Sequence, residues 1–166
     1  IEQVDKRSVT FRIDHMWRIT RMRPYIDWYI PVAQRAAFEG ALASLTVLGI
    51  RSIYPIVTEK SKANWGSHKD FQRAHRVMVA AAEQSKQFAL PEIAHPSSLY
   101  HIPYVADHCF VCDPQGAVVN TYVNDVISRK TDASYAGLVG PEAGLTTQEI
   151  AYLEHLGFHR LRLVSS

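Results

Sequence analysis

The stretch Tyr135–Phe158, YAGLVGPEAGLTTQEIAYLEHLGF, decides how the chain folds. Ala136, Leu138 and Val139 form a short apolar run, the pattern of a buried strand. Gly140 and Pro141 end it, because proline has no N–H to give a ladder. The restart is well marked. Thr146 and Glu149 have the Ser/Thr-x-x-Glu spacing of a capping box, in which each side chain satisfies an N–H that the helix leaves unpaired. Ile150, Leu153 and Leu156 follow at near-helical spacing, and Gly157 is a natural left-handed stop. Strand, glycine loop and capped helix thus occupy one short segment.

Working outward, the same alternation recurs. WYIPVA supplies an apolar strand that Pro31 makes irregular or an edge. Gln34 to Leu48 carries apolar residues at Phe38, Ala41, Leu42, Leu45 and Leu48, the stripe of an amphipathic helix, and Gly49 ends it. Ile50 to Val57 reads as a strand. Ser67 and Asp70 cap a long helix to about Gln87, with a stripe through Phe71, Ala74, Met78 and Ala81. CFVC and the opening stretch give two more strands, and Phe158 to Val164 a last one after the third helix. This order predicts an α/β domain with a mostly parallel sheet flanked by helices. Ahead of it, VDKRSVTFRI alternates around Val9, Phe11 and Ile13 as a strand, and the expected boundary lies near Pro24.

The composition limits the classes of function. The 166 residues suit one ordinary domain, or one with a fragment of a second, and 47% hydrophobic with 20% charged residues is normal for a soluble globular chain. No run approaches the ~20 apolar residues that span a bilayer, so no membrane partner is expected, and the first residues lack signal-peptide features. A net charge of +2 is too small to establish nucleic-acid binding. Cys109 and Cys112 are the two cysteines. Three apart on a strand, they face opposite sides, which disfavours a disulfide or a shared metal. Reduced thiols suit a reducing compartment, the cytoplasm or, in a eukaryote, the mitochondrial matrix. The histidines match no zinc spacing, so no metal is expected.

In parallel sheets, ligands sit beyond the carboxyl ends of the strands. Gly140 to Gly144 stands there, either as a ligand loop or as a plain strand-to-helix turn. It is neither a dinucleotide fingerprint nor a P-loop. Glu142 either positions a ligand or complements the helix dipole. Lys60, Lys62, Lys69, Arg73 and Arg76 form either a phosphate-facing patch or a solvated face. Trp65 is a base-stacking side chain or a loop anchor.

Three segments, in order, resemble one family. ASLTVLGIRSIYPIVTEKS (Ala43–Ser61), AAAEQSKQFALPEI (Ala80–Ile93) and LVGPEAGLTTQEIAYLEHLGF are similar to the knotted SPOUT class of RNA methyltransferases, specifically the small-subunit ribosomal RNA uridine N3-methyltransferase family. VDKRSVTFRI resembles the last strand of that family's N-terminal PUA-like barrel. The resemblance implies residues 1–24 as the end of a PUA-like β domain and 25–166 as a SPOUT methyltransferase domain with a trefoil knot. It also implies S-adenosylmethionine as cofactor, homodimers, and ribosomal RNA or a pre-ribosomal particle as partner.

By the same resemblance, Cys112, Leu138, Gly140, Pro141, Glu142, Ala143, Gly144 and Leu145 bind the cofactor, while Lys60, Arg73, Arg76, Glu83 and Gln84 face RNA. The catalytic residue stays unassigned. Ala143 stands where the family has a glycine, Val47 where it has a glutamate, and Lys86 and Gln87 where it has a small residue and an arginine. These departures leave a second reading, a catalytically inactive RNA-binding or ribosome-assembly protein of the same fold. The family continues beyond the point matching Ser166 with an Ile-Leu-Arg-x-Glu-Thr-Ala segment, so the resemblance expects further residues to complete the cofactor site.

Overall fold

β3 (Tyr25–Pro31) lies in the interior of the sheet, hydrogen-bonded to β4 (Ser52–Val57) on one side and to β8 (Ser134–Val139) on the other. The computed structural model describes residues 3–17, 21, 23–61, 64–103, 106–119 and 133–163. Lys62 and Val164 of the sequence reading lie outside them. The strand order is β5-β4-β3-β8-β7-β9, where β5 is Glu92–Ile93, β7 is His108–Val118 and β9 is Phe158–Arg162. β6 (Ser97–Ser98) pairs with the far end of β4, and every pairing in this sheet is parallel.

The prolines sit where they cost no ladder bond. Pro31 is the last residue of an interior strand, so the edge expected from it is corrected. The Ile56 carbonyl accepts the Val32 N–H on the β3 side, whereas the Ile53 carbonyl accepts the Ala94 N–H on the outer side. Alternation therefore turns Pro55 outward, into the gap between the short β5 and β6 pairings.

α1 (Arg35–Val47) and α2 (His68–Ser85) cover one face. Phe38, Leu42, Leu45, Ala74 and Met78 pack there with Ile30, Ile50 and Ile53. Leu48, expected in the stripe, is exposed; Thr46 is buried instead, its hydroxyl donating to the Leu42 carbonyl at 2.7 Å. Likewise, toward the end of α2 it is Ala82, not Ala81, that is buried. The predicted Ser67–Asp70 capping box is present, and α2 ends at Lys86 in the left-handed conformation.

α3 (Thr147–His155) covers the other face. It buries Leu153 against Tyr29, Ala136, Leu138, Val111 and Phe158, and the short turn Leu99–His101 adds Leu99. β7 runs on past CFVC, the stretch that the sequence reads as a strand. Its pairing with β9 shifts register between Cys112 and Ala117, so an irregular stretch carries it to Val118.

Residues 3–10 form a separate two-stranded antiparallel hairpin, β1 (Gln3–Val4) and β2 (Val9–Thr10), and residues 11–17 follow it without regular structure. Asp5 turns it, accepting from the Arg7 and Ser8 N–H groups and the Ser8 hydroxyl. The single strand expected through Phe11 and Ile13 is thus replaced by two short ones, and Phe11 and Ile13 are exposed.

Gly137 is fixed by space. Its register partners are Trp28 on β3 and Phe110 on β7, and the Trp28 ring spans the glycine to meet Phe110 edge-on at 5.5 Å. A Cβ there would lie 2.4 Å from the Trp28 ring. Gly137→Ala is therefore expected to cost about 1–3 kcal/mol through overpacking. A lowered urea midpoint would show it; an unchanged midpoint would mean that the ring gives way freely.

Candidate functional site

The chain leaves β3 toward β4 in one direction and leaves β8 toward β9, across β7, in the other. The helices that follow these two strands also lie on opposite faces. This is a topological switch point, and in parallel sheets a ligand crevice forms at the carboxyl ends of such strands, here β3 and β8. Two loops flank it, Thr58–Ser61 after β4 and Gly140–Leu145 after β8.

The second loop is a tight turn in which the Gly144 N–H donates to the Pro141 carbonyl at 2.7 Å. Gly144 takes φ +69°, and a Cβ placed on it would meet nothing within 4 Å. Ala143 is not among the left-handed residues, so the family glycine it replaces is not needed here for backbone freedom. Glu142, Ala143 and Gly144 are exposed, whereas Leu145 packs against the α3 core. Gly140 is close-fitted, since its Cβ would lie 3.0 Å from Leu145 Cγ.

The predicted cofactor-binding residues are brought together. Cys112 pairs in register with Val139, immediately before Gly140. Leu138 has its side chain wholly inside the core, so only its backbone can face the crevice. Burial pushes the Cys109 and Cys112 thiols up from their ordinary range, which keeps both in the unreactive protonated form. Beyond Cys112, Asp113 accepts from Arg160 at 3.0 Å and from the Gln115 N–H at 2.8 Å, walling the crevice on the β9 side.

Of the first loop, the sequence reading places only Lys60 in the site. Thr58 and Ser61 close it: the Thr58 N–H donates to the Ser61 hydroxyl at 3.0 Å and the Ser61 N–H to the Thr58 carbonyl at 3.1 Å. Two bonds then tie it across the end of β3 to the other loop. The buried Glu149 carboxylate accepts the Glu59 N–H and the Thr146 N–H, each at 2.8 Å. Lys60 Nζ donates to the Ala143 carbonyl at 2.9 Å. The Tyr100 hydroxyl donates to Glu59 Oε1 at 2.6 Å, and the Tyr152 hydroxyl donates to the Tyr100 carbonyl at 2.7 Å. The one sequence signal was the Thr-Glu-Lys-Ser string itself; Tyr100, more than a helix away in the chain, left none.

The predicted RNA-facing residues divide. Lys60 is at the crevice. Arg73 forms a two-pronged ion pair with Glu39 of α1, which raises its pKa. Arg76 is exposed on the same helix, and its Nε donates back to the Gln72 carbonyl at 3.4 Å. Glu83 and Gln84 are exposed in the last turn of α2. That turn lies at the amino-terminal edge of the sheet, where the Gln87 amide donates to the Val47 carbonyl at 3.3 Å. One chain therefore does not bring Glu83 or Gln84 to the glycine loop. Trp65 is a loop anchor, with ring centroids 5.0 Å from Phe38 and 4.7 Å from Phe71.

Glu59 controls the Tyr100 phenol. Its hydrogen bond, followed by desolvation and nearby negative charge, pushes the Tyr100 pKa up to about 12. The folded state favours the neutral phenol, so this contribution is complete below about pH 10 and is lost as pH rises toward 12. Glu59→Gln is expected to bring the titration back toward 10, read by NMR of tyrosine ring carbons against pH. A titration that stays near 12 in the variant would place the cause elsewhere.

A sequence profile of the RNA methyltransferase domain matches residues 22–166. No curated protein matches the chain's sequence. Among solved structures, it is similar to a putative methyltransferase from Legionella pneumophila in complex with S-adenosylmethionine, at 20% identity and a TM-score of 0.73, covering 86% of this chain and 59% of that one. It is also similar to ribosomal RNA small subunit methyltransferase E from Neisseria gonorrhoeae bound to S-adenosylmethionine, at 18% identity and a TM-score of 0.74, covering 86% and 58%. A probable rRNA-methyltransferase from Porphyromonas gingivalis matches at 19% identity and a TM-score of 0.73, covering 92% and 63%. The chain spans less than two thirds of each of these proteins. Its parallel sheet with helices on both faces is the fold they share, and the chain belongs to the RNA methyltransferase domain family.

Proposed function

We propose that the chain is the methyltransferase domain of an S-adenosylmethionine-dependent enzyme that methylates N3 of a uridine in small-subunit ribosomal RNA. The observation that carries this reading is the family match together with a glycine turn braced at the switch point of a parallel sheet. Two of the similar structures hold S-adenosylmethionine, and one is a small-subunit ribosomal RNA methyltransferase.

The residues present fit such a cofactor. The turn Glu142–Gly144 is exposed, and Gly144 leaves open space where a side chain would stand. Gly140 to Leu145 would hold the cofactor through backbone groups, with Cys112 and the Leu138 backbone on the wall between β7 and β8. When bound, S-adenosylmethionine supplies a methyl group on a positively charged sulfur. The chain's own contribution is to orient the base, exclude water and accept a proton.

The same reading assigns residues 1–24 to the end of a PUA-like domain, the remainder to a knotted domain that works as a homodimer, and Lys60, Arg73, Arg76, Glu83 and Gln84 to the RNA surface. A second subunit is one way to bring Glu83 and Gln84 to a glycine loop that their own chain does not reach. The free thiols of Cys109 and Cys112 support a reducing compartment, the cytoplasm or the mitochondrial matrix.

Calorimetry on the full-length protein is expected to show binding of S-adenosylmethionine and S-adenosylhomocysteine. Gly144→Val should weaken both at least tenfold, by straining φ +69° and filling the open side of the turn. No heat at millimolar cofactor would overturn the enzyme reading. Retention of ribosomal RNA without methyl transfer would favour the inactive RNA-binding alternative. Light scattering should give a dimer mass; a monomer at all concentrations would remove the shared site.

A further inference from the structure

The Thr58–Ser61 loop carries an acidic and a basic residue in succession beside the glycine turn, and both side chains are held. Glu59 is exposed, yet its position is fixed at two points. Its N–H is bound by the buried Glu149 carboxylate at 2.8 Å, and its carboxylate Oε1 accepts the Tyr100 hydroxyl at 2.6 Å. Lys60, the next residue, is held by the Ala143 carbonyl at 2.9 Å, which places its ammonium against the glycine turn. An ammonium has three N–H donors, so that bond leaves two for a ligand. Glu142 is the other exposed acid of the site, but it stands at the tip of the turn.

This pair matches the imide edge of uracil, in which an N–H donor stands beside a carbonyl acceptor. We propose that Glu59 accepts the N3 proton of the target uridine and that Lys60 donates to the adjacent carbonyl oxygen. The assignment rests on the uridine-N3 reading above and adds the proton acceptor that the sequence left open. An imide N–H is a far weaker acid than a carboxyl group, so the proton moves as the new bond forms rather than before it. The N3–H bond breaks toward Glu59 Oε2, and the N3 electron pair bonds to the methyl carbon of a sulfonium donor. The carbon–sulfur pair returns to sulfur as a neutral thioether. The charge that gathers on the base's oxygen meets the Lys60 ammonium. Glu59 ends protonated and passes its proton to solvent. Tyr100, whose own pKa is pushed up to about 12, remains a donor throughout and keeps the carboxylate oriented.

Two measurements test this on the full-length protein. In the first, methyl transfer from labelled S-adenosylmethionine to small-subunit ribosomal RNA is followed for the wild type and Glu59→Gln. A loss of about 100-fold or more in kcat is expected, with the KM for the methyl donor within about threefold, the range of general-base removal. RNA carrying 5-fluorouridine, whose imide is more acidic, should recover at least a tenth of that loss, which a merely structural defect would not do. The second needs no methyl donor. Fluorescence anisotropy compares binding of hexauridylate with binding of its N3-methylated counterpart. The wild type should prefer the unmethylated hexamer by about tenfold, the worth of a charged hydrogen bond, and Glu59→Ala should reduce that preference below twofold.

An active wild type with an equally active Glu59→Gln overturns the Glu59 assignment alone. So does a collapse in Glu142→Gln that Glu59→Gln does not show. A wild type that methylates another base, or none, overturns the uridine reading and this assignment together.

Discussion

One buried carboxylate holds the functional end of the molecule together. Glu149 is fully buried, and a charge in that position is costly unless its lone pairs are met. Both oxygens are used, one by the Thr146 N–H at the start of its own helix and the other by the Glu59 N–H from a loop two strands away. The positive end of the α3 dipole adds to the same balance. A local helix cap is therefore also the long-range brace that fixes the distance between the two loops. Losing it would leave two backbone donors unpaired as well as one helix uncapped, so the cap and the site are lost together.

The brace works because of where the sheet puts the loops. Adjacent strands lie about 4.8 Å apart, so the carboxyl ends of β4 and β8, with β3 between them, stand roughly 10 Å apart. That span is short enough for a glutamate and a lysine side chain to cross. The two packed faces keep the span constant. Tyr29 and Leu138 are wholly buried on the α3 side, while Leu42 and Ile53 are wholly buried beneath α1 and α2. At the opposite edge, the buried Asp27 pairs with the partly exposed Arg51, and Arg21 donates to the carbonyls of Arg51 and Leu90. These bonds satisfy the amino ends of the strands and leave the carboxyl ends as the open side.

Much of this was legible in the residues. Both capping boxes, the stripes of α1 and α2 and the glycine stop at Gly49 are local patterns, and the structure keeps each of them. The departures come from tertiary context. Thr46 replaces Leu48 in the core because its hydroxyl can return to the Leu42 carbonyl, so a polar residue enters the apolar stripe. Pro31 suggests an edge only until pairing shows that it terminates an interior strand. The glycine loop could be named from its Gly-Pro-Glu string, whereas the Glu59–Tyr100 contact joins segments with no shared motif. No spacing rule reaches across such a separation. Only the β6 pairing that carries Tyr100 to the end of β4 creates it.

The departures from the family pattern weigh differently once the geometry is known. By the resemblance, Ala143 removes a glycine from the loop. In the structure its side chain points to an exposed turn, the left-handed step falls on Gly144, and the Ala143 carbonyl serves Lys60. What the turn requires at that position is a carbonyl in the right direction, and an alanine supplies it as well as a glycine. Val47, Lys86 and Gln87 form a group of their own at the far edge: Lys86 takes the left-handed cap of α2, and the Gln87 amide closes on the Val47 carbonyl. By that resemblance, Gln87 in place of an arginine and Val47 in place of a glutamate remove one charge of each sign, Lys86 adds a positive one, and an amide-to-carbonyl bond joins the first two positions. The change is local to the amino-terminal edge, and it leaves the bracing of the two carboxyl-end loops untouched.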